Sequence, residues 1–256
     1  MRGVVELNII QFSLIYLLLL IVLYIMKKSR INQSRLLLVA SLRMTVQLVL
    51  AGLILTYIFK NPHPVFVLLY LIAMIVFSIH RVLSKNPNLN HSFKLAVGLA
   101  LTLSGLFVLA FFILVVVGES IFNPQYTIPL AGMVIGNAMT GVSLGLKTFT
   151  ENLKDQRAKI DALLNLGVTP RKILLPYVNN ALETALLPTM NSMLGMGIIS
   201  LPGMMTGQIL SGTLPTTAIM YQIAIMIAIC AAVSLAVFAS LNLGYRTLYN
   251  TRNQLY

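Results

Sequence analysis

The amino-acid sequence predicts an all-α polytopic membrane protein, on the evidence of its composition, its long apolar runs and the placement of its charges. Of its 256 residues, 58% are hydrophobic and 9% are charged, whereas soluble domains carry about 25% charged residues. Seven apolar segments are candidates for the ~17–25 residues of a transmembrane helix. A single cysteine and three scattered histidines predict neither a disulfide framework nor a Cys/His metal cluster. We expect one transmembrane domain over residues 1–256, embedded in the lipid bilayer of the cell membrane as a multi-pass protein.

The predicted spans follow one another along the whole chain. In order they are Ile9–Met26, Leu36–Phe59, Val65–Ile79 (extending towards Leu83), Leu95–Val117, Ile128–Leu146, a sixth within Ala185–Leu210, and Ala218–Leu243. The first ends in two lysines, as a stop-transfer segment does, and lacks a small-residue cleavage site, so it is not predicted to be a cleaved signal peptide. The sixth should break at Pro202 and Gly203, because proline lacks the backbone donor and glycine is a poor helix former.

The positive charges predict the orientation, because lysine and arginine in short loops are retained in the cytosol. Placing the N-terminus outside and the C-terminus in the cytosol puts 16 of the 18 lysines and arginines inside and leaves only Arg2 and Lys60 outside. Topology therefore accounts for the net charge of +12. We predict no nucleic-acid partner.

One long polar stretch, residues 147–176, interrupts the apolar chain on the cytosolic side. Thr148 and Glu151 have the spacing of a capping box and predict a helix start. An amphipathic run follows, with one apolar face formed by Leu153, Ile160 and Leu164. Gly167 predicts the helix stop, and Thr169 with Pro170 predicts the start of a new helix. The stretch is predicted to be a cytosolic helix-turn-helix suited to a cleft on another protein.

Glycines and polar residues distinguish the fifth and sixth spans. Glycines lie four residues apart at Gly132 and Gly136, at Gly141 and Gly145, and at Gly203 and Gly207. This spacing lets helices approach closely, either in ordinary packing or at a protein–protein centre. Asn137, Thr140 and Ser143 are polar groups that need partners in lipid. In the second span, Arg43 and Gln47 share a face; Arg43 either snorkels to the cytosolic surface or ties helices together and meets an anion.

Methionines gather around the predicted break. Met190, Met193 and Met196 recur every three residues, and Met204 and Met205 follow Pro202. One interpretation is a thioether-lined pathway for a metal or a lipophilic substrate, since interrupted helices are typical of transport sites. The other is methionine as an adaptable packing residue.

Several kinds of chemistry have no residues to support them in the sequence. The phosphate-binding pattern G-x-x-x-x-G-K-[ST] does not occur, and neither do HExxH or GxSxG. We therefore predict that the chain is not an enzyme and binds no cofactor itself. Energy for transport would come from a partner chain that binds ATP.

A set of motifs resembles the FetB family of ABC transporter permeases, from about Arg35 to the C-terminus. The motifs are Ile128-Pro-Leu-Ala-Gly-Met133, Gly136-Asn-Ala-Met139, Leu166-Gly-Val-Thr-Pro170, Ser200-Leu-Pro-Gly-Met-Met-Thr-Gly207, Tyr221-Gln-Ile223, Tyr245-Arg246 and Tyr249-Asn250. Asp161-Ala-Leu-x-x-x-Gly167 also resembles the loop that ABC permeases present to their ATPase. Thr213-Leu-Pro215 departs from the family, which has an acidic residue before this proline.

The resemblance implies a permease homodimer that exports iron or a related metal with a separate FetA-like ATPase carrying the ATP. The residues expected to take up ATPase motion are Ile160, Asp161, Leu164, Gly167, Thr169, Pro170 and Arg171. Family members in plants are linked to aluminium tolerance and UDP-glucose transport, so a permease for a nucleotide sugar or another organic solute is an alternative. An ion-coupled transporter or channel is a third, which the scarcity of intramembrane carboxylates disfavours.

Overall fold

The computed structural model describes residues 8–249, which form an all-helical bundle. Arg2 and Asn250, both used in the sequence predictions, lie outside the described residues. A π-helical turn, Phe112–Val117, continues α4, and a 3-10 turn, Tyr245–Leu248, continues α9. The α-helices are α1 (Ile9–Lys28), α2 (Ser34–Lys60), α3 (Pro64–Ser84), α4 (His91–Phe111), α5 (Pro124–Asp155), α6 (Arg157–Asn165), α7 (Pro170–Gly195), α8 (Gly203–Leu210) and α9 (Pro215–Gly244).

Six of these helices are long and apolar enough to cross a membrane. They are α1, α2, α3, α4 with its π-helical turn, α5, and α9 with its 3-10 turn. Each covers the predicted span at its position in the sequence and extends beyond at least one of its ends. The predicted all-α membrane fold is confirmed at this level. At 26 residues α7 has the length of a span, but its asparagines and Glu183 make it too polar to belong to this set.

Helix α9 lies at the centre of the bundle and packs against α4, α5, α7 and α8. Small residues allow this: a Cβ placed on Gly141 would lie 2.6 Å from Cγ1 of Val233, and one on Gly145 would lie 3.0 Å from Cγ1 of Val237. These pairs show that α5 and α9 run in the same direction. Phe93 packs edge-on against Phe149 with ring centroids 6.3 Å apart, so α4 runs antiparallel to α5.

Lysines and arginines gather at one end of the bundle, which we call the basic end. Asn152 donates to the side chain of Asn180 at 2.9 Å, so α7 returns antiparallel to α5. The ends of α3, α5 and α9 and the starts of α4 and α7 therefore meet there, together with α6. Among the residues at this end are Lys85, Lys94, Lys147, Lys154, Arg157, Lys159, Arg171, Lys172 and Arg246. Lys60 belongs to the opposite, distal end.

The predicted helix start at Thr148 is wrong, because α5 continues without interruption to Asp155. Leu146 and Phe149 are buried in the core, and their packing keeps this part of the chain helical. Glu151, taken for half of a capping box, lies instead 3.8 Å from Lys147, one turn back on the same helix. The short polar helix begins only at Arg157, after a break at Gln156.

The sixth span, predicted within Ala185–Leu210 with a break at Pro202 and Gly203, has different bounds in the structure. Helix α7 begins at Pro170 and ends at Gly195, and residues 196–202 are non-helical. Only the eight residues of α8 follow, with Pro202 as the N-cap. The break is present, but it lies at the distal end of a helix that starts directly after the turn at Gly167.

Candidate functional site

At the basic end, α6 is a short helix held outside the bundle by a single buried side chain. Ile160, 1% exposed, anchors it between α5 and α7. On its outer face, Nε of Arg157 lies 3.2 Å from Oδ2 of Asp161, and both side chains are about half exposed or more. Leu164 is half-buried. Of the other residues of α6, Leu163 is half-buried, and the two alanines, Lys159 and Asn165 are exposed.

The turn after α6 is a Schellman motif built on Gly167. Its φ of +81° is a conformation that side-chain-bearing residues rarely adopt. The N–H of Gly167 donates to the carbonyl of Leu164 at 2.9 Å, and that of Val168 to Leu163 at 3.0 Å. Two residues later α7 begins at the buried Pro170, with the exposed Arg171 beside it. Thr169 is the N-cap, as predicted, although its side chain makes no capping hydrogen bond.

The end of α6 presents an apolar side chain that the sequence prediction omitted. Leu166, the C-cap residue, is 79% exposed, and it is the largest exposed apolar side chain of α6 and its cap. Its position follows from the turn, because the reversal at Gly167 directs the chain back into α7. Leu166, Gly167 and Thr169 therefore form an exposed tip at the basic end.

The three glycine pairs have different surroundings. Gly141 and Gly145 pack inside the chain, against α9 and α7. A Cβ on Gly132 would meet only the end of Met74, at 3.3 Å. Gly136, Gly203 and Gly207 have no neighbouring atom within 4 Å of such a Cβ. These three glycines thus lie beside open space on the outer surface of the chain.

A groove along the outer face of α5 contains two adjoining cavities, and a third cavity lies beyond them between the end of α7, α8 and α9. The middle one, of about 100 Å³, we call the polar cavity; its polar lining residues are Asn137, Thr140, Thr189 and Ser192. Asn137 donates to the carbonyl of Met133 at 2.8 Å, and Thr140 to that of Gly136 at 3.0 Å. Pro188 also lines it and, lacking an N–H, cannot donate to the carbonyl of Thr184.

The second cavity, of about 570 Å³, opens at the basic end and is lined mainly by polar and charged side chains. Thr140 and Leu144 line both it and the polar cavity, so the two adjoin. Its charged lining residues are Lys85, Lys147, Glu151 and Lys154.

The third cavity, of about 450 Å³, lies between the break at 196–202, α8 and α9, and we call it the methionine cavity. Of the predicted pathway methionines, Met193, Met196 and Met205 line it, whereas Met190 and Met204 do not. Met226 of α9 lines both this cavity and the polar cavity, so its side chain lies between them. Gln222, one turn before Met226, is 6% exposed and lines the methionine cavity as well.

The sequence prediction omitted Gln222 and Met226 as site residues, and their spacing was the available signal. They lie four residues apart on one face of the last apolar helix, and Gln222 is an uncharged polar residue within it. Among residues 8–249, no group of three or more His, Cys, Asp or Glu side chains could hold a metal ion. The donors that the cavity offers are thioether sulfurs and one side-chain amide.

Arg43 and Gln47 do not enter the groove. Both are exposed on α2, and the Arg43 guanidinium lies 5.8 Å from the centroid of the Phe77 ring on α3. This is a cation–π contact at the flank of the bundle. Within one chain, Arg43 links α2 to α3 through this contact, and neither residue lines any of the three cavities.

Comparison with known proteins shows the family to which this chain belongs. The model described as "Uncharacterised protein family (UPF0014)" matches residues 9–249. The chain belongs to the UPF0014 family. That match takes in every helix of the structure. No solved structure matches the chain.

Relatives within UPF0014 come from bacteria and plants. The chain is 31% identical to "UPF0014 membrane protein YjkA" of Bacillus subtilis, over 96% of this chain and 97% of the relative. It is also 31% identical to "Probable iron export permease protein FetB" of Escherichia coli, over 97% and 95%. With "Protein ALUMINUM SENSITIVE 3" of Arabidopsis thaliana the identity is 32%, over 83% and 77%. The resemblance to the FetB family is confirmed, and the UPF0014 chain described here is a multi-pass transport protein of the cell membrane.

Proposed function

We propose that the chain is the permease subunit of an ABC transporter that exports iron or a related metal. A separate FetA-like ATPase would bind ATP and dock at residues 147–176. The observation that carries the proposal is the tip at the basic end: a short helix outside the bundle, with an exposed leucine at its end and a rigid turn into α7. The relative described as a probable iron export permease supports the choice of metal.

The turn supplies the mechanical link. Ile160 fixes α6 to the bundle, and the Schellman hydrogen bonds at Gly167 fix the angle between α6 and α7. A push on α6 from an ATPase would therefore pass into α7 and along it to the break at 196–202. In this proposal α7 is the additional span that completes seven, with the N-terminus outside and the C-terminus in the cytosol. Two of its polar side chains, Thr189 and Ser192, line the polar cavity, away from lipid.

A second copy of the chain would close the groove. Asn137 and Thr140 are exposed on α5, and exposed polar side chains at membrane depth are costly against lipid. Gly136 leaves open space beside them, which permits close approach of another helix. A homodimer joined along this face would enclose the neighbouring cavities, which in this proposal form one pathway with Met193, Met196 and Met205 towards its distal end.

The test of this proposal is a matched pair of leucine variants. Leu166 and Leu194 are both 79% exposed, but Leu194 lies at the distal end of α7. If Leu166 enters a cleft on the ATPase, Leu166→Ala removes about 2 kcal/mol of favourable free energy from burying this side chain, and so weakens ATPase binding about thirtyfold. Leu194→Ala should leave binding unchanged.

The measurement is the Kd between the reconstituted permease and its candidate ATPase, followed by permease-dependent ATP hydrolysis. Equal affinity of the two variants, or no stable complex with any ATP-binding-cassette partner, would contradict the proposed function. Stable binding with hydrolysis that ignores ferrous iron would retain the ABC permease and remove iron as the cargo.

A further inference from the structure

The methionine cavity contains a buried polar atom without a partner. Oε1 of Gln222 has no hydrogen-bond partner within residues 8–249, and the side chain is more than nine-tenths buried. Its Nε2 donates only towards Sδ of Met196, at 3.6 Å, and sulfur is a weak acceptor. Leaving a buried carbonyl oxygen unpaired is unfavourable, so an occupant that contacts Oε1 would stabilise the site.

The donors around this oxygen restrict what the occupant can be. Thioether sulfurs of Met193, Met196, Met205 and Met226 line the same cavity. Thioethers are soft ligands that select Cu(I), whereas hard cations prefer carboxylate, carbonyl and water oxygens. A single water molecule needs two to four polar partners, and Gln222 is the only residue of this lining with a side-chain amide, hydroxyl or charge. An apolar solute would leave Oε1 unpaired.

The charge of the site restricts the occupant further. None of the lining residues carries a charge, so the donors cannot neutralise a cation. The Born cost of bringing an ion into a medium of low dielectric grows with the square of its charge, and is therefore about fourfold larger for a divalent than for a monovalent ion of equal size. A neutral set of soft donors thus favours a soft monovalent cation over Fe²⁺ or a trivalent ion.

We propose that the methionine cavity binds a soft monovalent cation of the Cu(I) class, held by the thioethers of Met196 and Met226 and by Oε1 of Gln222. This inference rests on the proposed metal export, and it names the class of metal that the distal half of the pathway accepts. Because Met226 also lines the polar cavity, the ion would lie on the side of the methionine cavity that faces the polar cavity.

The test uses Ag(I), a redox-stable analogue of Cu(I), as the probe. Full-length permease is placed in lipid nanodiscs in chloride-free buffer, without ATPase or ATP, so that the outcome does not depend on coupling. All variants carry Cys230→Ala, because a free thiol would bind Ag(I) itself. Bound silver is measured at equilibrium, and wild-type cavity residues are expected to hold one ion per chain that excess Fe²⁺ does not displace.

Three cavity variants and two controls then locate the ion. Met196→Leu, Met226→Leu and Gln222→Leu should each weaken Ag(I) binding at least tenfold. Met220→Leu, on α9 but outside the cavity, and Met139→Leu, on α5, should bind as the parent does. Methionine-to-leucine changes preserve side-chain volume, so the fold is expected to persist.

Equal silver affinity in the cavity and control variants would overturn the proposal, as would displacement of silver by equimolar Fe²⁺. Either result would leave the ATPase-docking result with Leu166 unaffected. Loss of ATPase docking with intact silver binding would have the opposite meaning: the cation site would stand, and the proposed coupling would fail.

Discussion

The angle between α6 and α7 depends on one glycine, and replacing it tests whether that angle transmits force. Gly167 has a φ of +81°, and nothing lies within 4 Å of the Cβ that a larger residue would add. The cost of Gly167→Val is therefore a backbone cost alone, at least about 1–2 kcal/mol for a side-chain-bearing residue in the left-handed region. A cost of this size lowers the ratio of native to non-native turn about 5–30-fold. We expect the variant to relax by changing the turn, which would separate ATP hydrolysis from transport.

The structure provides a matched control for this variant. Gly118, after the π-helical turn of α4, has a φ of +76° and equally open surroundings, but it lies at the distal end. Gly118→Val should cost similar stability and leave coupling intact. Gly167→Asn should retain much of the coupling, because asparagine tolerates the left-handed conformation. The assay is the amount of metal ion moved per ATP hydrolysed in proteoliposomes containing the ATPase, with Fe²⁺ and Ag(I) supplied in separate runs. Wild-type coupling in Gly167→Val, or an equal loss of coupling in Gly118→Val, would refute the proposal that the turn transmits force from α6 to α7.

Three further predictions concern the bundle and its proposed dimer interface. Gly141→Ala should lower the stability of the monomer by about 1–3 kcal/mol, because its Cβ would lie 2.6 Å from Val233. Gly136→Ala should leave thermal unfolding unchanged, because nothing lies within 4 Å of its Cβ. If Gly136→Ala were the more destabilising of the two, Gly141 would not be the glycine packed inside the chain. Gly136→Val should reduce the dimer fraction in cross-linking, and an unchanged fraction would place the interface elsewhere. Asn90→Ala should lower the free energy of unfolding by about 2 kcal/mol, since Asn90 caps α4 at the N–H of Phe93 and hydrogen-bonds to Thr247. A loss below about 0.5 kcal/mol in chemical denaturation would contradict that role.

The parts of the fold that the sequence predicted well are those governed by local patterns. Apolar runs located six helices, and Gly167 with Pro170 located the turn, because left-handed glycine and N-terminal proline act within a few residues. The capping-box prediction at Thr148 failed because burial of Leu146 and Phe149 overrode the local signal. The bounds of the sixth span were wrong because polar residues are scattered along α7, and hydropathy alone does not reveal that the helix begins at Pro170.

The candidate site was predictable in part for the same reason. Met193 and Met196 could be found from their spacing on one helix. Their association with Gln222 and Met226 depends on how the break at 196–202 folds onto α9, which is a contact between distant segments. Leu166 was missed because an isolated exposed leucine has no distinguishing sequence pattern. Its exposure at the tip follows only from the geometry of the adjacent turn.

The central position of α9 also determines when this protein can fold during its synthesis. Asn90 and Thr247, which join the start of α4 to the end of α9, are 157 residues apart. At ~5–20 residues per second, a ribosome needs about 8–30 s to make the chain between them. During that interval the faces of α4, α5 and α7 that later cover α9 are without their partner. Completion of the core therefore waits for the last helix, and a nascent chain that stops before it lacks the element around which the others pack.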